Sequence, residues 1–412
     1  MRVCVVGSGG REHALADVLA RTAEVVVAPG SPGIPGSVGP PAEDIDADLF
    51  VVGPEAPLAA GLADRLRAQG RLVFGPGADG ARLESSKAWM KELVVAAGVP
   101  TARHAVFDDA PGGAEAAAEC LAAMSPPYVV KTDGLAAGKG VLVTDSLAAA
   151  VADVGAKLSG EAFGDAGRKV VVEEGLTGAE VSLFAVCDGR RAVALPTAAQ
   201  DHKRLGDGDT GPNTGGMGCF SPVPGVGPAE IDELARLVFD PTMDELVRRG
   251  IEYRGVLYAG VMLTPAGPRL LEFNVRFGDP EAQVILPRIE SDLAELLAAA
   301  AAGDLTTRPR FADDAMVCVV CAAEGYPAAP RTGDVVEGLA AAAALDGVTV
   351  YAAGVACPAG ELVTAGGRVL GVCGRGPTTA AARARAYAAV ERISWPGMQY
   401  RTDIAACSAA GR

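Results

Sequence analysis

Hydrophobic positions near the start of the chain fall into short unbroken runs: RVCVV (2–6), EVVVA (24–28) and DLFVV (48–52). Runs of that length, rich in β-branched residues, read as strands buried on both faces. Helical patterns lie between and after them, at 12–21 and 58–69, with a short strand at 71–74. Alternation of this kind predicts a parallel, doubly wound sheet, which binds ligands beyond the carboxyl ends of its strands. One crossover is unusual. The segment SPGIPGSVGPP (31–41) is too dense in Gly and Pro for a helix, so an irregular loop has to join the second strand to the third.

From about Ser85 the pattern shortens. A helix at 85–97 is stopped by Gly98 and Pro100. A strand at 104–107, a helix near 112–123, strands at 128–131 and 141–144 and a helix at 146–158 follow. Strands at 170–174 and 181–188 lead into a polar, Gly-rich stretch at 200–218. A helix at 228–249, strands at 256–264 and 269–277 and a helix at 291–302 close this region. It reads as α+β with mixed strand pairing. The remainder has a strand at 315–322, Gly-rich turns and a helix near 378–391, and no repeat of fixed period is present.

With 412 residues the chain predicts two to four folding units. Aromatic residues are only 5%, so the cores must rest on Val, Leu, Ile and Ala. The net charge of -15 argues against nucleic-acid and anionic-membrane partners, while leaving room for a local anion pocket built from backbone N–H groups and a few cations. No run of eighteen apolar residues predicts a membrane span. The N-terminus reads as a strand entering a turn, not a secretory leader. Nine scattered Cys fit a reducing cytoplasm better than a disulfide framework. Cys318 and Cys321, three apart on a strand, should point to opposite faces and act as small core residues.

Six stretches carry candidate chemistry. GSGGREH (7–13) follows a strand, and its glycines suit a phosphate at a helix N-terminus, a small phosphate ester or a plain structural turn. Glu12 stands where a dinucleotide fingerprint has its last glycine and disfavours a pyrophosphate there. In GPEAPL (53–58), Glu55 either ends a strand or bonds a ligand hydroxyl or amine. KTDGLAAGKGV (131–141) puts Lys131 at a strand end before a loop carrying Gly134, Gly138, Lys139 and Gly140, the make-up of a lid over phosphates but not a P-loop. VVVEEGLTGAE (170–180) offers Glu173, Glu174 and Glu180 around a hinge suited to adenine and ribose. The stretch at 200–218 packs Asp201, His202, Lys203, Arg204, Asp207 and Asp209 among six glycines, as a binding loop does. Sharpest is LLEFNVRFGDPE (270–281). Along a strand Glu272, Asn274 and Arg276 share a face. The first two are hard oxygen ligands for Mg²⁺, and Arg276 can hold a phosphate or carboxylate through two parallel hydrogen bonds.

Together Lys131, the glycine loop, Glu173 to Glu180 and Glu272-x-Asn274 resemble the ATP-grasp superfamily. Within it GSGGREH, GPEAPL, KTDGLAAGKGV, GDAGRKVVVEE, QDHKR, DTGPNTGGMG, YAGVML, EFNVRFGDPE and RTGDV resemble the phosphoribosylamine–glycine ligase family, over nearly the whole chain. The resemblance implies an α/β N-terminal parallel-sheet domain (1–84), an ATP-grasp domain (85–309, with a mobile small lobe at about 101–175) and a small C-terminal α/β domain (310–412). It implies that glycine is joined to 5-phospho-D-ribosylamine through a glycyl phosphate while ATP becomes ADP and phosphate. Mg²⁺ or Mn²⁺ would be the cofactor, and a monomer or small homo-oligomer acting on small molecules the working form. Carried over by residue, Lys87, Lys131, Lys139 and the loop from Gly134 through Gly138 to Gly140 would contact ATP phosphates. Glu173, Glu174 and Leu176 would frame adenine and Glu180 the ribose. Glu272 and Asn274 would hold the metal. Arg276, Asp201, His202 and Lys203 would sit near glycine and the acyl phosphate. Gly9, Gly10 and Glu55 would line the phosphoribosylamine pocket. Arg276, Lys131 and Lys139 would be the catalytic cations.

The chain departs from that family's pattern at the Gly/Pro crossover, where a helix is usual, and at Gly175, where a bulkier residue is common and whose absence predicts a roomier or more flexible adenine pocket. Rival readings are another ATP-grasp ligase of the biotin-carboxylase kind, a nicotinamide oxidoreductase and a non-catalytic nucleotide sensor.

Overall fold

The computed structural model describes residues 1–136 and 140–409, and Gly138 and Lys139 lie outside them. The first unit holds β1 (Arg2–Gly7), α1 (Gly10–Leu19), β2 (Glu24–Pro29), β3 (Leu49–Val52), α2 (Glu55–Ala59), α3 (Leu62–Ala68) and β4 (Val73–Phe74). Its sheet runs β2-β1-β3-β4, with every pair parallel, as the apolar runs predict. Cys4 and Val6 of β1 enter one core and Val3 and Val5 the other, the two-sided burial expected of such a strand. The helix read at 58–69 is instead two, because Gly61 takes a left-handed conformation (φ 75°) between α2 and α3.

The Gly/Pro crossover is indeed irregular, with a single 3₁₀ turn at Ala42–Asp44. It lies along the outer edge of β2. Val27 donates to the Gly36 carbonyl (2.9 Å), and Val38 donates back to Val27 (2.9 Å).

α4 (Ala78–Ser85) and α5 (Lys87–Ala96) lead into the small lobe, α4 being absent from the sequence reading. The Ser86 hydroxyl caps α5 by accepting the Trp89 N–H (3.2 Å), which fixes Lys87 in the first helical turn. The small lobe holds β5 (His104–Asp108), α6 (Gly113–Ala122), β6 (Tyr128–Thr132), β7 (Val141–Thr144), α7 (Leu147–Leu158) and β8 (Lys169–Glu174). Its sheet order is β5-β8-β6-β7. The large lobe begins with β9 (Ala179–Asp188) and β10 (Ala192–Ala194). The polar stretch then forms β11 (Gln200–Asp201), β12 (Arg204–Gly206), β13 (Thr210–Asn213) and β14 (Gly218–Ser221). α8 (Pro228–Arg248), β15 (Arg254–Thr264), β16 (Gly267–Asn274), α9 (Ala282–Ile285) and α10 (Leu293–Ala302) complete it, with sheet order β10-β9-β15-β16. Both lobes were expected to mix parallel and antiparallel pairing. Among the described residues every pair of named strands in them is antiparallel, and only the isolated bridge from Thr101 to Leu270 is parallel.

The last unit holds β17 (Ala315–Ala322), α11 (Leu339–Ala343), β18 (Val348–Ala352), β19 (Arg368–Gly376) and α12 (Thr379–Val390). Its sheet, β11-β14-β17-β19-β18, recruits two strands from the polar stretch, so that stretch is built into the C-terminal sheet. Cys318 and Cys321 are buried in cores on opposite faces of β17. Among the described residues no helix is long and apolar enough to cross a membrane.

Candidate active site

One cavity of about 740 Å³ lies between the lobes, with residues of the first and last units at its border. β16 forms its floor. The ends of β6 and β8 form one wall, the polar stretch a second, and Arg11, Glu55 and Arg368 close it.

On the small-lobe side, Lys131 is the last residue but one of β6. Its Nζ lies 3.2 Å from the Leu271 carbonyl and 3.1 Å from Glu173. Lys91, from α5, reaches the same carboxylate at 3.1 Å and donates to the Thr101 hydroxyl at 2.7 Å. All three charged groups are buried. Burial, and then the charge of Lys131, brings the Lys91 pKa down to about 8, against the pull of Glu173. A lysine whose folded pKa lies below its unfolded value releases its proton earlier in the fold. Unfolding then takes up a proton between those two pH values, and raising the pH favours the folded state. The stability of the wild type relative to Lys91→Met is therefore expected to rise above pH 8, by about 1.4 kcal/mol per pH unit, and to level off near the unfolded lysine value. Urea unfolding of both proteins from pH 7 to 10 measures the difference. A flat difference would remove the buried-lysine account.

Lys87, Glu174, Leu176, Glu180 and Gly140 also line the cavity. Glu174 pairs with Arg103 (2.7 Å), and Glu180 with Lys203 across the cleft. Gly134 packs against Ala166 behind the wall. The adenine-side expectation at Gly175 is corrected. A Cβ there would lie 2.3 Å from the Pro127 carbonyl oxygen, so Pro127 already fills the space that a side chain would take.

Glu272 and Asn274 lie together on the floor, and Arg276 follows just past the end of β16. Among the described residues the Glu272 carboxylate makes no hydrogen bond or ion pair. Burial alone would raise its pKa, but the charges of Lys203, Lys131, Lys87 and Arg276 outweigh burial and hold it below the ordinary value. Arg276 is clamped, its Nε 3.1 Å from Glu55 and its Nη2 2.7 Å from Glu84. Glu84 also accepts the Val275 N–H (2.8 Å). Asp201 lines the far end, where burial and the neighbouring Glu281 carboxylate push its pKa well up.

The chain matches family models over most of its length. The N domain, ATP-grasp domain and C domain of phosphoribosylglycinamide synthetase match residues 1–84, 85–282 and 316–407. The chain belongs to the phosphoribosylglycinamide synthetase family. A phosphoribosylamine–glycine ligase of Caulobacter vibrioides is 48% identical over 98% of this chain and 97% of its own length. Another, from Streptomyces coelicolor, is 48% identical over 99% of this chain and 100% of its own. The crystal structure of the phosphoribosylamine–glycine ligase of Thermotoga maritima superposes with a TM-score of 0.86 at 36% identity, covering 98% of this chain and 100% of that one. The biotin carboxylase of Campylobacter jejuni, at a TM-score of 0.68 and 13% identity over 97% of this chain and 92% of that one, shares the fold.

In this synthetase-family chain four expected site residues stand off the cavity wall, Gly134 among them. The Gly9 N–H is taken by the Glu12 carboxylate (2.7 Å), which also pairs with Arg11 (2.6 Å). A Cβ on Gly7 or Gly53 would fall 2.5 Å or 2.1 Å from Glu12 atoms, so those glycines make room for this carboxylate, where a dinucleotide site would admit a pyrophosphate. Gly10 is buried, and a Cβ there would lie 2.7 Å from the Gln283 amide. His202 turns its Nδ1 to the Gly218 carbonyl (3.3 Å) and its ring towards Phe220. Sequence reasoning missed Arg11, Glu84, Lys91, Glu281 and Arg368. Arg11 and Glu281 sat in stretches already singled out, and Lys91 was detectable only as a charge on the apolar side of a helix.

Proposed function

We propose that this cavity joins glycine to 5-phospho-D-ribosylamine with ATP, through a glycyl phosphate, giving glycinamide ribonucleotide, ADP and phosphate. The observation that carries the reading is the Glu272 carboxylate beside Asn274, without a hydrogen bond or ion pair among the described residues and near the charges of Lys203, Lys131, Lys87 and Arg276, in a cavity bounded by all three family domains.

A free carboxylate does not acylate an amine, because oxide is too poor a leaving group. Transfer of the γ-phosphoryl group to a glycine oxygen, with ADP departing, makes phosphate the leaving group. The protein's task is then to position reactants and offset charge. Lys87 and Lys131 face the ATP phosphates; Lys139, expected to contact them as well, lies outside the described residues. Leu176 and Glu174 border the adenine, and Glu180 meets the ribose. Glu173, held between Lys91 and Lys131, orients Lys131 more than it frames the base. Two oxygen donors two residues apart suit Mg²⁺, or Mn²⁺ in its place, since such ions keep much of their shell in water and phosphate oxygens. Bound there, the ion supplies positive charge to the transferring phosphates. Lys203 offers its charge to the carboxylate of glycine, and the Asp201 carboxyl offers oxygens to its ammonium. With Nε and Nη2 engaged, Arg276 keeps Nη1, bound only at 3.4 Å to the Phe277 carbonyl, for the acyl oxygen as the amine attacks. Glu55 and Arg11 border the phosphoribosylamine side, with Gly9 and Gly10 behind them.

ADP release with Mg²⁺, ATP and glycine, plus phosphoribosylamine formed in situ from ribose 5-phosphate and ammonia, tests the reading. Release that needs both glycine and the amine is expected. Release driven by bicarbonate, or ATP binding without turnover, would overturn it.

A further inference from the structure

The polar stretch meets the cavity through Gln200, Asp201, Lys203 and Arg204 on one side, Asn213 to Gly215 on the other, and Asp209 at the turn between them. Between them β12 and β13 form a two-stranded hairpin, which is a marginal structure in water without support. Its support comes from the far end of the chain. Arg401, 1% exposed and outside the cavity lining, donates through Nη1 to Asp209 (2.7 Å) and to the Arg204 carbonyl (3.2 Å). Its Nε and Nη2 hold Asp403 at 2.7 and 2.6 Å. Asp403 in turn accepts the Gly208 N–H (2.8 Å), and the Thr402 N–H and hydroxyl both donate to Asp207. The turn needs holding, because Asp209 sits at φ 55°, a left-handed conformation uncommon outside glycine. At the other shoulder the Tyr326 hydroxyl accepts the Gly215 N–H (2.9 Å), and Arg368 donates to the Gly215 carbonyl. A buried arginine with a fixed planar fork sets direction as well as attraction.

We propose that Arg401 is a positioning residue for the ligation: through residues 401–404 it fixes the hairpin so that Lys203 and Arg204 stand at the cavity. Through Arg401 the C-terminal unit thereby acts on catalysis from outside the cavity. The inference rests on the proposed placement of glycine beside Lys203.

Two variants test it in the full-length protein, Arg401→Ala and Asp207→Ala. Asp207 is exposed and outside the cavity lining, so its loss leaves the fold intact even if the loss of Arg401 does not. The readouts are hydrogen exchange of residues 204–213 and the separate KM values for glycine and ATP. Both variants are expected to lose protection in 204–213 and to raise the glycine KM about tenfold, with the ATP KM within about twofold of wild type. Arg401→Lys should recover part of the loss. Unchanged glycine kinetics in Asp207→Ala beside a loosened hairpin would overturn the proposal. An equal loss for both substrates that tracks a lowered melting temperature would also overturn it, leaving a residue of the fold alone. If the wild type releases no ADP in response to glycine, the functional reading fails. Unchanged hydrogen exchange in both variants instead sinks the clamp itself.

Discussion

Replacing Glu272 with glutamine is expected to lower kcat/KM at least about a hundredfold, a loss of roughly 3 kcal/mol of transition-state stabilisation. Glutamine keeps the shape and one oxygen but removes the charge. The surroundings make the charge matter. Glu272 faces three lysines and Arg276, and among the described residues no hydrogen bond or ion pair occupies its carboxylate. A group kept ionised and left free in a buried cavity is poised for a cation brought in with substrate. The glutamine variant should also need far more Mg²⁺ to reach half its maximal rate, which a lesion in packing would not produce. ADP-release rates across a Mg²⁺ titration give both numbers. A variant within a few-fold of wild type at low Mg²⁺ would remove Glu272 from the metal site.

The second large effect is on stability. Glu173→Gln takes the shared carboxylate from between Lys91 and Lys131, each 3.1 Å away and both buried. Two ammonium groups would then face each other out of water. Breaking a buried pair from one side costs about 3–5 kcal/mol. At about 2–4 °C per kcal/mol, the melting temperature should fall by roughly 6–20 °C. Adding Lys91→Met to the variant removes one of the stranded charges and should return part of the loss. Scanning calorimetry of the two variants and the wild type decides it. A Glu173→Gln protein melting within about 2 °C of wild type would mean that the lysines find other partners or lose their protons freely.

Both predictions depend on residues that the sequence revealed unequally. β1, β3 and β16 were legible because periodicity reports burial, and burial is what a strand in a layered sheet experiences. Glu272 and Asn274 were legible for the same reason, as polar side chains at alternate positions in an apolar run. The gap between α2 and α3 was hidden, because a pattern of apolar spacing does not record a single left-handed glycine. The uniform antiparallel pairing of the lobes was hidden too, since pairing is decided by connections that local sequence does not encode. Glu84 and Arg368 stand in no stretch that the sequence marked out. Their roles arise from partners 192 and 89 positions away. Lys91 showed only as a charge on the apolar side of α5, and its partner Glu173 had been read as part of the adenine frame. At Gly175 the reading stopped at the missing side chain and could not see Pro127 folded into its place.

The Gly/Pro crossover bears on the protein's behaviour in concentrated solution. A buried parallel sheet that ends in an open strand is a template on which a second chain can add itself. Here the outer rim of β2 is already spoken for. Gly36 and Val38 bond to Val27 along it, and a Cβ on Gly36 would lie 2.7 Å from the Val25 carbonyl oxygen, so only a residue without a side chain lets the segment lie so close. Prolines at 32, 35, 40 and 41 have no N–H to offer an incoming strand. Beyond β4, at the opposite rim, the Gly75 N–H is bonded to Arg254 (3.1 Å). Where a helix would cover a face of the sheet, this segment seals a border, and the first unit is left with little backbone on which copies of itself could assemble into fibres.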